Sequence, residues 1–373
     1  MSKFLDLGVK PAFDKAIKEM NILQPTEIQE KAIPILIEKN TDFIGLAHTG
    51  TGKTAAFGLP ILQKIDPKTT AVQALILSPT RELALQIKKQ LFKFTKYVDE
   101  KIFVEAVYGG EKIDKQIKNL KRPTHIVVAT PGRLIDLIER EAIDLGRVKI
   151  LVLDEADEML SMGFKQDLHQ ILKKTGAQKS TWLFSATMPE EVQKIIKNYM
   201  HPNAPRVDLD ESTLINKQIR HQYIKMGIKE KLDNLTDLLR KHRNERGIIF
   251  DKTKAGVQNL GEKLKERNFS VGVLEGNMQQ KEREKVMRAF KNGKLQILVS
   301  TDVSARGIDV NDLGFVIHYR LPEQLEYYTH RSGRTARAGK TGTSIAFVLP
   351  SEIETMQKIQ KALNIKFTEI KNI

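Results

Sequence analysis

The sequence contains no cysteine. Disulfides and thiolate metal sites are therefore excluded, and packing and hydrogen bonding alone must hold the fold. No apolar run approaches the roughly 18 residues that a membrane span needs. The opening residues Met1 to Asp6 have no apolar signal core, so a cytoplasmic protein is expected, with no membrane partner. Acidic residues are the scarcer charge, 46 Asp plus Glu against 61 Lys plus Arg, a net charge of +15. Such a surplus favours a polyanionic partner, either nucleic acid or an anionic surface. Low-complexity tracts and short-period repeats are also missing. What remains is an ordinary globular composition, 40% hydrophobic and 29% charged, over 373 residues, which is the length of two domains.

Strand-like apolar runs alternate with amphipathic segments in two series. The first holds strands at Phe43–Ala47, Ala74–Ser78, Ile102–Val107, His125–Ala129, Lys149–Leu153 and Thr181–Ser185. Helices such as Glu82–Phe94 and Lys165–Lys174 lie between them. The second runs from Gly247–Phe250 through Val271–Leu274, Gln296–Ser300 and Phe315–His318 to Ser344–Leu349. Its helices are Lys254–Arg267, Gln280–Asn292 and Ser351–Leu363. Strand and helix in alternation predict α/β domains whose mainly parallel sheets are flanked by helices. Two prolines, Pro202 and Pro205, and the polar stretch Asp208–Thr213 mark a linker. The boundary is drawn at residue 210, giving domains 1–209 and 210–373.

Two stretches carry chemistry. The run Ile150 to Leu153 ends in Asp154, Glu155, Ala156 and Asp157. A buried strand that delivers adjacent carboxylates to its C-terminal end puts them where open α/β sheets bind ligands. Four letters alone are a weak signal. Upstream, however, Ala47, His48, Thr49, Gly50, Thr51, Gly52, Lys53 and Thr54 follow a strand and open a helix. This fits a phosphate-binding loop, with Ala47 where the general pattern has its first glycine. Gly50 and Gly52 let successive N–H groups face phosphate oxygens, and the helix N-terminus adds to that field. Lys53 then reaches the β and γ phosphates, and Thr54 ligates Mg²⁺. Asp154 holds the same ion, through water, and Glu155 orients and deprotonates the attacking water. Together the two stretches predict a nucleotide triphosphatase using Mg²⁺.

Near the C-terminus, Arg334 and Arg337 are spaced to share one face of a helical turn. Two guanidinium groups there suit a phosphoryl transition state, and equally suit a basic RNA-binding or solvated helix.

At this point the chain resembles the DEAD-box family of ATP-dependent RNA helicases, from Phe4 to about Leu349, with the motifs in family order. The resemblance implies two RecA-like domains that bind ATP and RNA. It implies that Gln29 reads adenine, with Phe4 in support and Ile22 where many members place an aromatic ring. Gly307 and Asp309 become ribose contacts, and Thr49, Gly50, Thr51 and Gly52 phosphate contacts. Arg81, Gly109, Gly110, Thr130, Gly132 and Arg133 become RNA contacts in the first domain, and Arg283 and Thr301 in the second. Ser185, Thr187 and His330 couple nucleotide state to RNA. Arg334 and Arg337 become catalytic arginines beside Lys53, Asp154 and Glu155. RNA is expected to be held mainly by its sugar–phosphate backbone, with little sequence preference, by a monomeric core. Unwinding is expected to be local and non-processive. His48, Glu275 and Ala336 depart from commoner choices at their positions. A clamp without turnover and a DNA-directed motor are the rival classes.

Overall fold

Strands β1 (Phe43–Leu46), β2 (Ala74–Leu77), β4 (Ile126–Ala129) and β5 (Ile150–Asp154) are buried at every residue. Branched apolar residues without polar alternation are what a parallel sheet covered on both faces requires. In the computed structural model they join β3 (Val104–Val107), β6 (Ser180–Ser185) and β7 (Arg206–Asp208). The described residues are 3–47, 50–176, 179–209, 218–305, 313–336 and 341–371, the Glu326 side chain excepted. The chain forms two units, Met1–Leu209 and Asp210–Ile373.

The first unit is one seven-stranded sheet in the order β3-β4-β2-β5-β6-β1-β7, parallel throughout. Its helices are α1 (Lys3–Asp6), α2 (Pro11–Glu19), α3 (Glu27–Glu38), α4 (Lys53–Lys64) and α5 (Arg81–Phe94), then α6 (Ile113–Leu120), α7 (Pro131–Glu139), α8 (Ala156–Ser161), α9 (Lys165–Lys174) and α10 (Glu190–Tyr199). The period-two rule divides the core. Ala74, Ile76, Val128 and Val152 pack with Phe57 and Phe94 of α4 and α5. Their neighbours Leu75, Leu77, Val127 and Leu151 pack on the other face with Leu134, Leu168 and Val192 of α7, α9 and α10.

The second unit repeats the plan. Its strands are β8 (Ile219–Lys225), β9 (Gly247–Phe250), β10 (Val271–Leu274), β11 (Ile297–Ser300), β12 (Phe315–His318), β13 (Gly342–Val348) and β14 (Thr368–Glu369). Their order is β10-β11-β9-β12-β13-β8-β14, again all parallel. The helices are α11 (Lys231–Lys241), α12 (Lys254–Glu266), α13 (Gln280–Lys291), α14 (Asp302–Ala305), α15 (Leu325–Ser332) and α16 (Ile353–Ala362). Among the described residues, no helix is long and apolar enough to cross a membrane.

Three strands depart from the sequence reading. Asp208, assigned above to a linker, ends β7, which pairs with β1 at Leu46. Only Val207 of that strand is buried, so one apolar residue was the whole signal. β8 reads as polar because its inward positions include His221. β14 is two exposed residues.

Gly247 begins β9 opposite Phe315 of β12. A Cβ there would lie 2.0 Å from the Phe315 ring. Gly247→Ala should therefore destabilise the second unit by about 1–3 kcal/mol through overpacking. Chemical denaturation should show that loss, with nucleotide affinity of the folded protein unchanged.

Candidate functional site

The order β5-β6-β1 brings three strand ends together. Leu46 is the register partner of Ser185, and Asp154 that of Phe184. The loop after β1, the acidic turn after β5 and the Ser185 turn after β6 thus share one edge of one sheet. This is the carboxyl edge at which open α/β sheets bind ligands.

The loop after β1 is braced from α3. Gly52 caps α4 in the left-handed region at φ 89. Its carbonyl takes the first helical N–H groups, from Ala55 and Ala56. The Gln29 Nε2 also donates to it at 2.9 Å, while Gln29 Oε1 accepts the Thr26 N–H at 3.0 Å. The Thr26 hydroxyl donates to the Thr51 carbonyl at 2.6 Å. Gln29 is 3% exposed and so holds the loop, a role the sequence reading did not give it. Its carboxamide keeps one N–H and one lone pair for a ligand. Phe4 is buried in the core with Phe13 and Ile17, so it acts on any ligand only through its neighbours. Ile22 is partly buried against the same core. Thr49 and His48 lie outside the described residues.

Lys53 and Asp154 are buried, at 6% and 2% exposure. Among the described residues, neither Lys53 Nζ nor Asp154 Oδ1 has a hydrogen-bond partner. Burial pushes the Asp154 carboxyl up to about 7; Lys53 draws it down, and Glu155 and Asp157 raise it further. For Asp154, burial costs the charged form more than its neighbours return. A partnerless carboxylate oxygen on Asp154 and the Thr54 hydroxyl in the first turn of α4 are the hard oxygen donors that suit Mg²⁺. An anion at the α4 N-terminus would likewise relieve Lys53. Glu155 caps α8 with φ 53, a strained conformation for a residue with a side chain and one that clusters at functional sites.

Asp157, to which the sequence reading gave no role, ties β5 to β6. Its Oδ2 accepts from the Thr187 N–H at 3.0 Å and from the Thr187 hydroxyl at 2.8 Å. Ser185 Oγ accepts the Asp157 N–H at 3.3 Å and donates to the Thr187 carbonyl at 2.7 Å. The available signal was two hydroxyls on the neighbouring strand end facing the last acid of the tetrad.

The other half of the edge, at β3, β4 and β2, holds the expected RNA contacts. Arg81 opens α5 and lies 4.7 Å over the Tyr108 ring. The buried Gln116 bonds both the N–H and the carbonyl of Tyr108, fixing the chain just before Gly109 and Gly110. Thr130 caps α7 and donates its N–H to Val107, and Gly132 follows in the first turn. Arg133 Nη1 donates to the Glu111 carbonyl at 3.0 Å, and its Nε faces Asp136 at 3.4 Å. The N-termini of α5, α6 and α7 open from these strand ends, which suits phosphate.

In the second unit, Arg283 donates to the Ser304 carbonyl at 2.7 Å. The Thr301 hydroxyl donates to Ser304 Oγ and accepts its N–H, capping α14. His330 lies in the last turn of α15. The expectation that Arg334 and Arg337 share a helical face is not met for Arg334. The helix ends at Ser332 with Gly333 as its cap, and Arg334 lies in the turn beyond. In that turn Ala336 adopts φ 57, a conformation that a glycine would adopt without strain. Arg337, Gly307 and Asp309 lie outside the described residues.

Known proteins resemble this chain in sequence and in fold. The family model for DEAD/DEAH box helicases matches residues 26–195, and that for the helicase conserved C-terminal domain matches 230–339. The DEAD-box ATP-dependent RNA helicase CshA of Geobacillus kaustophilus is 43% identical over 100% of this chain and 79% of its own length. The ATP-dependent RNA helicase CshA of Listeria monocytogenes is 44% identical over 97% of this chain and 69% of its own. Among solved structures, S. cerevisiae Dbp5 bound to RNA and ADP BeF3 superposes with a TM-score of 0.91 at 32% identity, covering 99% of this chain and 96% of that one. The two parallel sheets are thus tandem RecA-like domains, as expected.

A Cβ on Gly52 would lie 2.2 Å from Gln29 Nε2. Gly52→Ala should therefore break the brace and strain the cap by about 1–2 kcal/mol. ATP affinity should fall about tenfold or more in a fluorescence titration, a loss of about 1.4 kcal/mol or more.

Proposed function

The chain belongs to the DEAD-box family of ATP-dependent RNA helicases, and on that premise we propose how its residues divide the work. The protein is an RNA-dependent ATPase that converts ATP and water to ADP and phosphate and acts on RNA. In our reading, residues 1–209 form the ATP-binding helicase domain. Its phosphate cradle is Thr49 to Thr54, with Lys53 reaching the terminal phosphates. Thr54 and Asp154 would hold Mg²⁺, which would supply positive charge to the phosphate oxygens when bound. Gln29 takes the adenine edge with the donor and acceptor its brace leaves over.

Glu155 aligns the attacking water and accepts its proton as the bond from water oxygen to the γ-phosphorus forms. The β–γ bridging bond breaks, and ADP leaves. Residues 210–373 supply Gly307 and Asp309 to the ribose. Arg334 and Arg337 offset the charge spread over the transferring phosphoryl group. Turnover therefore needs groups from both domains.

Arg81, Gly109, Gly110, Thr130, Gly132, Arg133, Arg283 and Thr301 hold the RNA backbone. Contacts to phosphate and 2′-hydroxyl groups give little sequence preference. Ser185, Thr187 and His330 transmit nucleotide state to that surface. Strand separation is local and non-processive, by a monomer working in the cytoplasm.

One observation carries this reading. Lys53 Nζ and the carboxyl oxygen Asp154 Oδ1 are buried and without partners among the described residues, at the start of α4 after β1 and at the end of β5, the two strands that flank β6. A phosphate and its cation satisfy both at once.

Glu155→Gln should lower RNA-stimulated kcat by about 10² to 10⁴, because it removes the base, while ATP and RNA still bind. Phosphate release and an RNA-binding titration measured together check this. Normal turnover would remove Glu155 from the mechanism.

A further inference from the structure

Behind the turn that carries Arg334 lies a buried polar cluster that neither nucleotide nor RNA touches in the mechanism above. His318 ends β12 and is 0% exposed. Its ring stacks on Tyr328 of α15, 4.5 Å between centroids and 12° from parallel. Its Nε2 lies 3.0 Å from Ser344 Oγ on β13. Ser344 Oγ in turn lies 2.9 Å from Ser332 Oγ, at the end of α15. On the other side, Arg331 Nη1 faces His318 Nδ1 at 3.4 Å.

Chemistry fixes the tautomer. Arginine carries donors only, so Nδ1 is the accepting nitrogen and the proton sits on Nε2, which donates to Ser344. Burial, then the neighbouring Arg331 charge, hold His318 well below the ordinary histidine range, so the ring stays neutral.

Arg331 is itself 2% exposed, and all three of its guanidinium nitrogens are engaged. Its Nε and Nη2 meet both oxygens of Asp302, which follows Thr301. Its Nη1 also donates to the Arg320 carbonyl at 2.8 Å, and its guanidinium lies 5.0 Å over the Phe250 ring. One side chain thus joins the ends of β9, β11 and β12 to the last turn of α15. Arg334 follows three residues later, its N–H bonded to the Arg331 carbonyl at 3.1 Å. Beyond it stands the strained Ala336, and strain of that kind persists only when its surroundings hold it.

We infer that His318 is a positioning residue for hydrolysis: as a neutral acceptor at Nδ1 it orients Arg331, and through Arg331 the turn from which Arg334 reaches the phosphate. The inference rests on the reading of Arg334 given above. His318 touches no substrate. Its effect belongs in kcat rather than in KM for ATP, because a misaimed arginine weakens the transition state and leaves ground-state binding intact.

The test uses the full chain and three substitutions, with unfolding temperature, RNA-stimulated kcat and KM for ATP measured for each. His318→Asn puts a carboxamide oxygen near the Nδ1 position. His318→Gln reaches the Nε2 position and keeps only the link to Ser344. His318→Phe keeps the stack alone. The Gln and Phe variants should lose about tenfold or more in kcat with KM within about twofold, and the Asn variant should recover most of the loss. Should the Phe variant fail to fold, the Asn against Gln comparison still decides. Equal kcat losses that follow unfolding temperature would reduce His318 to a packing residue. Unchanged kcat in all three would also overturn the inference. Arg334→Ala in the same assay separates the two readings. If it loses turnover while the His318 variants do not, only the positioning role fails. If it turns over normally, the catalytic assignment of Arg334 fails and the positioning role with it.

Discussion

Lys53 and Asp154 set the terms for the first domain. Each is buried, each has a polar atom without a partner among the described residues, and the two do not close on one another as an ion pair. A chain selected only for stability would pair them or replace them with apolar side chains. Holding them apart takes a rigid frame. The sheet supplies it, since β1 and β5 both pair with β6 and neither strand end can move independently. Gln29 and Thr26 hold the loop from one side, and Asp157 with Ser185 and Thr187 holds the acidic turn from the other. The left-handed Glu155 is a further cost carried at the same place.

A second pattern runs through the other motif residues. Many of them use part of their hydrogen-bonding capacity on the protein. Gln29 grips Gly52, Arg133 grips Glu111, Arg283 grips Ser304, and Thr301 caps α14. Each is held in place by its bonds to the protein. Pre-organised groups of this kind lose little freedom when a ligand arrives.

Most of the frame was legible in the sequence because parallel strands buried on both faces are almost pure in composition. β2, at Ala74 to Leu77, has no polar residue, and β5 has none before Asp154. The loop from Gly50 to Thr54 and the acids after β5 were legible because their spacing follows from phosphate and metal geometry. Three kinds of feature were not. β7 and β14 lie at sheet edges, where one buried residue or none leaves no period to detect. β8 hides His221 inside a polar cluster, so its inward face reads as solvent-exposed. The roles of Asp157, Gln29 and His318 depend on partners 23 to 30 residues away or on other strands, and no local pattern encodes those pairings. The turn at Arg334 was read as helix from its spacing, and Gly333 ends that helix one residue earlier.

The central claim is that Lys53 and Asp154 are kept unpaired for a ligand that comes from outside the chain. Thermal unfolding of the wild type and of Asp154→Asn, each with and without ATP and Mg²⁺, tests it most directly. Removing a buried carboxyl whose charged form burial disfavours should leave the ligand-free variant as stable as the wild type or more so. The upward shift that ligand gives the wild type, set by mass action, should largely vanish in the variant. A variant that unfolds earlier without ligand and still gains the full shift with it would contradict the account.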